Sequence, residues 1–166
     1  MKSYSGRYVI VFNGEIYNFE EIKSKLVSNI NFEIDVKSDT RILLESLELF
    51  GFDILKTVRG MFSFALYDIL ESKLYLINDR FGEKPLYYYF DENSLMFSSD
   101  IKSFNFKKNK ISNESIYDLL NKNCISYPKS IWKNIHRIQP SEIIQFLIDR
   151  DLKKVKLLKK EKYWNS

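Results

Sequence analysis

The sequence predicts an α+β fold, in which amphipathic helices pack on antiparallel β-sheets. Two segments near the beginning of the chain repeat their apolar residues at helical spacing. Four short, aromatic segments follow between residues 61 and 100, and polar, Gly or Pro breaks separate them, as is typical of an antiparallel meander. Of the 166 residues, 45% are hydrophobic, which is enough to bury the core of one domain.

The first predicted elements are a strand and a helix. Residues 7–12, with the sequence RYVIVF, are rich in the apolar and β-branched residues that favour strands. A helix over residues 19–28 follows, because its apolar residues recur every three or four positions. Asn18 and Glu21 stand three residues apart at its start, which indicates a capping-box-like arrangement.

A second helix and the strands come next. The sequence KSDT at 37–40 predicts the start of this helix. Gly51 predicts its end, because glycine readily adopts the backbone conformation that terminates helices. The four strand patterns then cover residues 61–68, 73–79, 85–90 and 94–100.

The last third of the chain begins with a polar stretch at 105–113, which predicts a linker. Ser112 or Asn113 could cap a helix that follows it. The sequence EIIQFLID at 142–149 predicts one more strand.

Charge and hydropathy exclude several classes of partner. The chain carries 26 Lys and Arg against 22 Asp and Glu, a mild net charge of +4, and no nucleic-acid-binding signature accompanies its basic runs. No apolar run reaches the length of a membrane span, and the N-terminus lacks the pattern of a signal peptide. We therefore expect neither nucleic acid nor a membrane as a partner.

One cysteine and one histidine restrict the chemistry further. Cys124 has no second cysteine with which to form an internal disulfide, which fits a reducing compartment and predicts a cytoplasmic location. The spacing of a zinc site is missing, so no metal is expected, and no phosphate loop of the Walker type is present. We interpret His136 as a loop or packing histidine and Cys124 as a structural or incidental thiol.

The segment VFNGEIYN at 11–18 has two interpretations. Asn-Gly between apolar, β-favouring residues indicates a tight hairpin turn. Alternatively, the side-chain amide of Asn13 and the backbone N–H of Gly14 converge on one point and form an oxyanion hole. The two interpretations are compatible, because a turn could aim both donors.

Five blocks, in order along the chain, together resemble one family. The resemblance is to the class II glutamine amidotransferase domain of glutamine-hydrolysing asparagine synthetases. A later segment, SYPKSIWKNIHRIQPSEII at 126–144, is similar to the connection between that domain and the synthetase domain. The resemblance therefore implies a partial amidotransferase domain over 1–104 and a linker segment over 105–166. The blocks are VFNGEIYNFEEI (11–22), SDTRILLESLELFG (38–51), VRGMFSFALYD (58–68), NDRFGEKPLYYYF (78–90) and MFSSDIKSF (96–104).

The resemblance implies a fold and a reaction. The fold is an Ntn-hydrolase-type sandwich of antiparallel β-sheets flanked by helices, here incomplete at the N-terminus. In the family, an N-terminal cysteine attacks the side-chain amide of glutamine, and its free α-amino group acts as the base. The released ammonia passes to a synthetase domain, where ATP and Mg²⁺ activate aspartate. ATP and Mg²⁺ are expected in that domain, and no cofactor is expected in this chain.

The resemblance also implies site residues. Asn13 and Gly14 match the oxyanion hole, and Glu15 matches a residue that contacts the bound glutamine. Asp39 matches the carboxylate that pairs with the α-ammonium group of glutamine. The structural alternative for Asp39 is a helix cap, and both roles can hold at once.

The nucleophile of the family is missing from its expected place. Residue 2 is Lys2, where the family has cysteine, and Cys124 lies in the predicted linker with its α-amino group in a peptide bond. We therefore expect that an upstream segment with the nucleophile and the downstream synthetase domain are both absent. This chain alone is predicted neither to hydrolyse glutamine nor to make asparagine.

Three functional hypotheses remain open at this point. The chain is the amidotransferase part of an asparagine synthetase, for which the full-length parent could be a homodimer. Alternatively, it is a non-catalytic module that binds glutamine or docks to a separate synthetase subunit. In the third hypothesis, it comes from an amidotransferase that acts on another carboxylate acceptor, such as a sugar acid or a peptide.

Overall fold

The helices and strands are those of a computed structural model, which describes residues 1–29, 38–104 and 110–165. The described part contains three α-helices: α1 (Phe19–Val27), α2 (Asp39–Phe50) and α3 (Asn113–Lys122). It also contains eight β-strands: β1 (Tyr8–Ile16), β2 (Gly60–Asp68), β3 (Lys73–Asn78), β4 (Tyr87–Phe90), β5 (Leu95–Ser98), β6 (His136–Arg137), β7 (Glu142–Asp149) and β8 (Lys154–Lys162). The predicted α+β class is confirmed.

The strands form two antiparallel sheets. The larger sheet has the order β1-β2-β3-β7-β8, and the smaller sheet has the order β5-β4-β6. The predicted meander is correct for the pairs β2–β3 and β4–β5. It is wrong between β3 and β4, because the loop between them carries the chain into the smaller sheet, and β7 takes the place beside β3.

The larger sheet is covered on both faces. In β2, Phe62, Phe64 and Leu66 pack in one apolar cluster with residues of α1 and α2, whereas Ala65 packs in a second cluster between the two sheets. Successive side chains of a strand point to opposite faces, so one segment serves both clusters. Helices α1 and α2, the larger sheet and the smaller sheet therefore form three successive layers.

The helix signals of the sequence have different outcomes. Ser38 caps α2, since its hydroxyl accepts a hydrogen bond from Arg41 N at 3.4 Å, and Gly51 ends the helix with φ of 66°. At α1, the side chain of Asn18 makes no capping bond, and the predicted capping box is wrong. Its Oδ1 instead accepts from Arg59 N at 2.8 Å, and its Nδ2 donates to Glu21 Oε2 at 2.9 Å. The bond with Arg59 joins the start of α1 to the segment before β2.

Residues 110–165 contribute to the same sheets as the first part of the chain. Ser112 caps α3 as predicted, and its hydroxyl accepts from Ser115 N at 3.2 Å. The predicted strand at 142–149 is β7, which pairs with β3 on one side and β8 on the other. Residues 105–109 of the predicted linker lie outside the described residues. The division of the chain after residue 104 stays a prediction.

In the described parts of the chain, no helix has the length and apolar character that crossing a membrane requires.

Candidate functional site

Asn13 and Gly14 lie inside a strand, and the predicted hairpin turn is wrong. Both belong to β1, where Asn13 is opposite Ser63 and Gly14 is opposite Phe62 of β2. The ladder between these strands is continuous over nine residues on each side. Pairing along this length outweighs the local preference of Asn-Gly for a turn, so β1 runs on to Ile16.

Gly14 is required for a different reason, which is the close approach of β1 and β2. Its φ is 143°, and a Cβ atom at this position would lie 2.1 Å from Met61 O and 2.6 Å from Phe62 Cα. Gly60, at the facing end of β2, has a similar constraint, because its Cβ would lie 2.2 Å from Glu15 O. Only glycine fits both positions without moving the backbone.

The ladder pattern directs the backbone N–H of Gly14 to the outer edge of the larger sheet. Phe62, opposite Gly14, uses its own C=O and N–H on the other side, where they bond with Asp79 at 2.9 and 3.2 Å. The Gly14–Phe62 pair is therefore a non-hydrogen-bonded pair of the β1–β2 ladder. Ile10 and Ile16 lie an even number of residues from Gly14, so their N–H groups point to the same edge of β1. They donate there to Met1 O and to Asp39 Oδ2, respectively.

Asp39 lies against this same edge. As the first residue of α2, it is half-buried, and its Oδ2 accepts a hydrogen bond from Ile16 N at 3.3 Å. Its Oδ1 accepts from Thr40 N at 2.6 Å. The structural alternative of a capping role is wrong for Asp39, because the cap is Ser38. The Asp39 carboxylate instead joins the start of α2 to the end of β1, two residues from Gly14.

Asn13 faces a cavity between the two sheets. The cavity has a volume of about 240 Å³, and Asn13 and Ser63 are two of its polar lining residues. Its other lining residues come from the strands and loops around them: Val11, Phe12, Phe64, Ala65, Leu86, Phe97, Ser98 and Ser99. Apolar walls with a few polar groups are typical of a site for a small molecule.

Glu15 adds negative charge beside these groups. It is exposed on β1, next to Gly14. The pKa of Tyr17 is raised, first by desolvation and then by the nearby carboxylates of Glu83, Glu15 and Asp79. Carboxylates therefore concentrate at this end of β1, which favours the approach of a cationic group.

The structure thus places the four predicted site residues at one end of β1. Asn13, Gly14 and Glu15 are consecutive, and Asp39 joins them through its bond to Ile16. Asn13 faces the cavity, whereas Gly14 N–H and Asp39 lie at the adjoining sheet edge. Their roles in binding stay a prediction.

Sequence reasoning missed Asp79, which organises the neighbouring loop. Its buried carboxylate accepts hydrogen bonds from the backbone N–H groups of Phe62, Phe81, Glu83 and Lys84, at 2.9 to 3.2 Å. An Asp before a tight Gly-containing segment, as in DRFG, is a signal for this kind of loop. Asp79 therefore supports β2 directly opposite Gly14.

The remaining titratable candidates lie elsewhere. His136 is half-buried in β6 and packs on Tyr88, with ring centroids 5.5 Å apart, which agrees with a packing role. Burial and then the charge of Lys160 lower its pKa. Cys124 is exposed after the end of α3. Among the described residues, no group of three or more His, Cys, Asp or Glu side chains is arranged to hold a metal ion.

Comparisons with known proteins agree with the resemblance seen in the sequence. The family model described as "Glutamine amidotransferase domain" matches residues 1–164. The chain is 33% identical over 162 residues to a Methanocaldococcus jannaschii protein whose assignment as a glutamine-hydrolyzing asparagine synthetase is itself provisional. That match covers 94% of this chain and 30% of the relative. Asparagine synthetase (glutamine-hydrolyzing) 1 of Bacillus subtilis is 30% identical over 146 residues, which cover 87% of this chain and 23% of the relative.

The fold also has a counterpart among solved structures. The glutamine phosphoribosylpyrophosphate amidotransferase of B. subtilis, solved with ADP and GMP, matches with a TM-score of 0.62 at 16% identity. The match covers 100% of this chain and 31% of that chain. At this identity the similarity shows the fold, which confirms the predicted Ntn-hydrolase-type sandwich. The chain spans less than a third of the length of these relatives.

Proposed function

We propose that this chain, which belongs to the glutamine amidotransferase domain family, binds L-glutamine at the end of β1. In this proposal it serves an asparagine-synthetase-type reaction, in which ammonia from glutamine amidates aspartate. The observation that carries the proposal is the bond from Ile16 N to Asp39 Oδ2, at 3.3 Å. It brings a carboxylate beside two amide donors, those of Asn13 and Gly14.

The Asp39 carboxylate is suited to the α-ammonium group of glutamine. It is half-buried, which strengthens an ion pair relative to one in open solvent. Its Oδ2 accepts a hydrogen bond from Ile16 N and keeps a further lone pair for a ligand. Glu15, exposed on the adjoining strand, supplies a second carboxylate for the same end of the ligand.

Asn13 and Gly14 are suited to the other end of glutamine, the side-chain amide. The Asn13 carboxamide faces the cavity, and the Gly14 N–H lies at the neighbouring sheet edge. Where the cavity-facing side of β1 meets its outer edge, the Asn13 amide group and the Gly14 N–H can reach the same oxygen atom of the ligand. Such donors stabilise the negative charge that develops on a carbonyl oxygen under attack, typically by a factor of about 100 to 1,000 in rate.

The proposal assigns binding and charge stabilisation to this chain, and not the nucleophile. Cys124 is exposed after α3 and is absent from the described lining of the cavity. We expect the 166 residues alone to release no ammonia from glutamine, which a coupled ammonia assay checks. Steady ammonia release by the pure chain would overturn this part.

ATP, Mg²⁺ and aspartate belong, in this proposal, to a synthetase domain or subunit. The single cysteine fits a reducing compartment, so we place the reaction in the cytoplasm. The relatives named as asparagine synthetases favour aspartate as the acceptor over another carboxylate.

A ligand-dependent unfolding experiment tests glutamine binding. L-Glutamine should raise the Tm of the chain, because a ligand of the native state stabilises it by about 2.7 kcal/mol at 100 times its Kd. Asp39→Asn should weaken binding about tenfold or more, because a hydrogen bond between charged groups contributes about 1.5–3 kcal/mol. Asp53→Asn is the matched control, since Asp53 is an exposed carboxylate that pairs with Lys56 at 2.6 Å. A Tm independent of L-glutamine would overturn the proposal, and equal shifts in Asp39→Asn and the wild type would remove Asp39 from the site.

A further inference from the structure

Ser63 is a buried serine whose hydroxyl has no partner. Its exposure is 1%, and its Oγ makes no hydrogen bond to any residue that the structure describes. Ser63 lines the same cavity as Asn13 and is directly opposite it in the β1–β2 ladder. An unpaired hydroxyl is costly in a protein interior, so a side-chain rotation that gives it an acceptor is favoured even before a ligand binds.

Two carboxamides flank Ser63 on the face toward the smaller sheet, and they differ in their hydrogen bonding. Asn78 is the partner of Ser63 on β3, and its side-chain amide is already hydrogen-bonded. Its Nδ2 donates to Ile138 O at 3.3 Å, and its Oδ1 accepts from Asp79 N at 3.1 Å. Asn13, on β1, is exposed to the cavity and makes no such bonds within the described residues. The free hydroxyl therefore has one free carboxamide as its neighbour.

We propose that Ser63 is a positioning residue for Asn13, and this inference rests on the proposed function. The Ser63 hydroxyl donates a hydrogen bond to Asn13 Oδ1. The Nδ2 group of Asn13 is then turned toward the carbonyl oxygen of the glutamine side chain.

The physical reason is the symmetry of a carboxamide. Its oxygen and nitrogen ends have nearly the same shape, so a rotation of 180° replaces a donor with an acceptor. An acceptor aimed at a carbonyl oxygen that gains negative charge repels it. Opposite residues of an antiparallel pair have Cβ atoms about 4.5–5.5 Å apart, so a rotation of the two side chains brings Ser63 Oγ to Asn13 Oδ1.

Ser98, another serine that lines the cavity, has a hydroxyl that is already hydrogen-bonded to other groups. Ser98 Oγ donates to Ser103 Oγ at 3.1 Å and accepts from Asp100 N at 3.1 Å. Ser98 also lies on β5, across the cavity from the β1–β2 ladder. Ser63 therefore has a buried hydroxyl that lies opposite Asn13 and has no competing hydrogen-bond partner among the described residues.

A double-mutant cycle on glutamine affinity tests the inference. The four proteins are the wild type, Asn13→Ala, Ser63→Ala and the double variant, each titrated with L-glutamine. We expect Ser63→Ala to weaken affinity about fivefold, the effect of losing one hydrogen bond. In the Asn13→Ala background the same change should have no further effect, because Ser63 acts through Asn13.

Two variants control for a purely structural role. Ser46→Ala removes a hydroxyl that is likewise buried and unpaired among the described residues, but on α2 outside the cavity. It should leave glutamine affinity unchanged. Ser63→Thr keeps the hydroxyl and should restore affinity to within about twofold of the wild type. Equal affinity of Ser63→Ala and the wild type, or additive effects in the cycle, would overturn the inference.

A spectroscopic measurement separates this inference from the proposed function. If the wild type shows no glutamine-dependent change, the proposed function fails, and the ¹H–¹⁵N signals of the Asn13 side-chain amide then decide on Ser63. Ser63→Ala should displace these signals in the free chain, and Ser46→Ala should not. Signals that are the same in the wild type and Ser63→Ala would refute the positioning role.

Discussion

Asp39 Oδ2 accepts a hydrogen bond from the backbone N–H of Ile16, across 3.3 Å and 23 positions of sequence. This bond joins the first residue of α2 to the last residue of β1. It places the carboxylate at the outer edge of the larger sheet, two residues from Gly14. The start of a helix and the end of a strand therefore form one structural unit, and changes in either should affect the candidate site.

Gly14→Ala should destabilise the chain by about 3 kcal/mol, because a Cβ atom would overlap the backbone of β2 and the left-handed φ would be strained. The overlap is severe, since Cβ would lie 2.1 Å from Met61 O. The measurement is the free energy of unfolding in urea.

Gly51→Ala is the matched control, because Gly51 also has positive φ but a Cβ there would meet nothing within 4 Å. It should lower the free energy of unfolding by only about 1 kcal/mol, because alanine is strained at this positive φ. Equal losses in the two variants would show that the approach of β1 and β2 tolerates a side chain.

Asp79→Asn should destabilise the chain by about 3 kcal/mol, because an amide NH₂ would replace one of two oxygens that together accept four backbone N–H groups. Those donors belong to Phe62, Phe81, Glu83 and Lys84. Hydrogen exchange of these four amides should accelerate together, which mass spectrometry or NMR can follow.

Asp91→Asn provides the comparison, since Asp91 also accepts turn N–H groups, from Asn93 and Ser94, but on an exposed turn. Its effect should be confined to that turn. If Asp79→Asn left exchange at Phe62 unchanged, Asp79 would not support the strand opposite Gly14.

Acid should weaken the pairing of β1 with β2 through Asp68. Burial alone would raise the pKa of this carboxyl group, but hydrogen bonds from Arg7 and the backbone N–H of Glu71 outweigh burial and lower it. A lowered pKa in the folded state contributes stability that is present above the unfolded value of 3.8 and is lost as the pH falls below it. Asp68→Asn should therefore flatten the dependence of unfolding free energy on pH below about 4.

Glu71→Gln tests whether this acid dependence belongs to the buried group. Glu71 lies 3.6 Å from the same arginine but is more exposed, with 46% of its side chain accessible against 2% for Asp68. Its substitution should leave most of the acid dependence in place. The same flattening in both variants would assign the effect to the overall charge around Arg7.

His136 should titrate below its usual pKa of 6.5, because burial and then the charge of Lys160 disfavour its protonated form. Stability should accordingly fall as the pH drops below 6.5, since the unfolded chain binds this proton more readily. His136 is the single histidine of the chain, so its NMR titration can be followed without overlap.

Lys160→Gln should raise the midpoint of that titration without restoring 6.5, because the burial of His136 remains. A midpoint in the wild type above 6.5 would contradict the packing role of His136.

Local signals explain the parts of the fold that were predictable. Ser38 and Ser112 cap helices because their hydroxyls reach N–H groups three residues away, and Gly51 ends α2 through its own φ. Each of these signals acts within one turn of the chain. Asn18 is the exception among the capping residues, because a distant donor, Arg59 N, takes its side-chain oxygen.

The candidate site was predictable in its residues but not in its arrangement. The blocks around Asn13, Gly14, Glu15 and Asp39 were sufficient to identify the family, which the family model confirms. The turn assigned to Asn13 and Gly14 was wrong, because the sequence alone does not show that β2 continues opposite them.

By itself, the sequence determined the α+β class, most of the element positions and the family, because these depend on periodicity, caps and ordered motifs that lie close together along the chain. Tertiary structure alone decided that Gly14 serves a close approach of strands, that Asp39 joins α2 to β1, and that the Ser63 hydroxyl is buried beside Asn13. The physical reason is that these relationships join residues tens of positions apart. Strand register and layer packing set such contacts, and neither is encoded in any short segment.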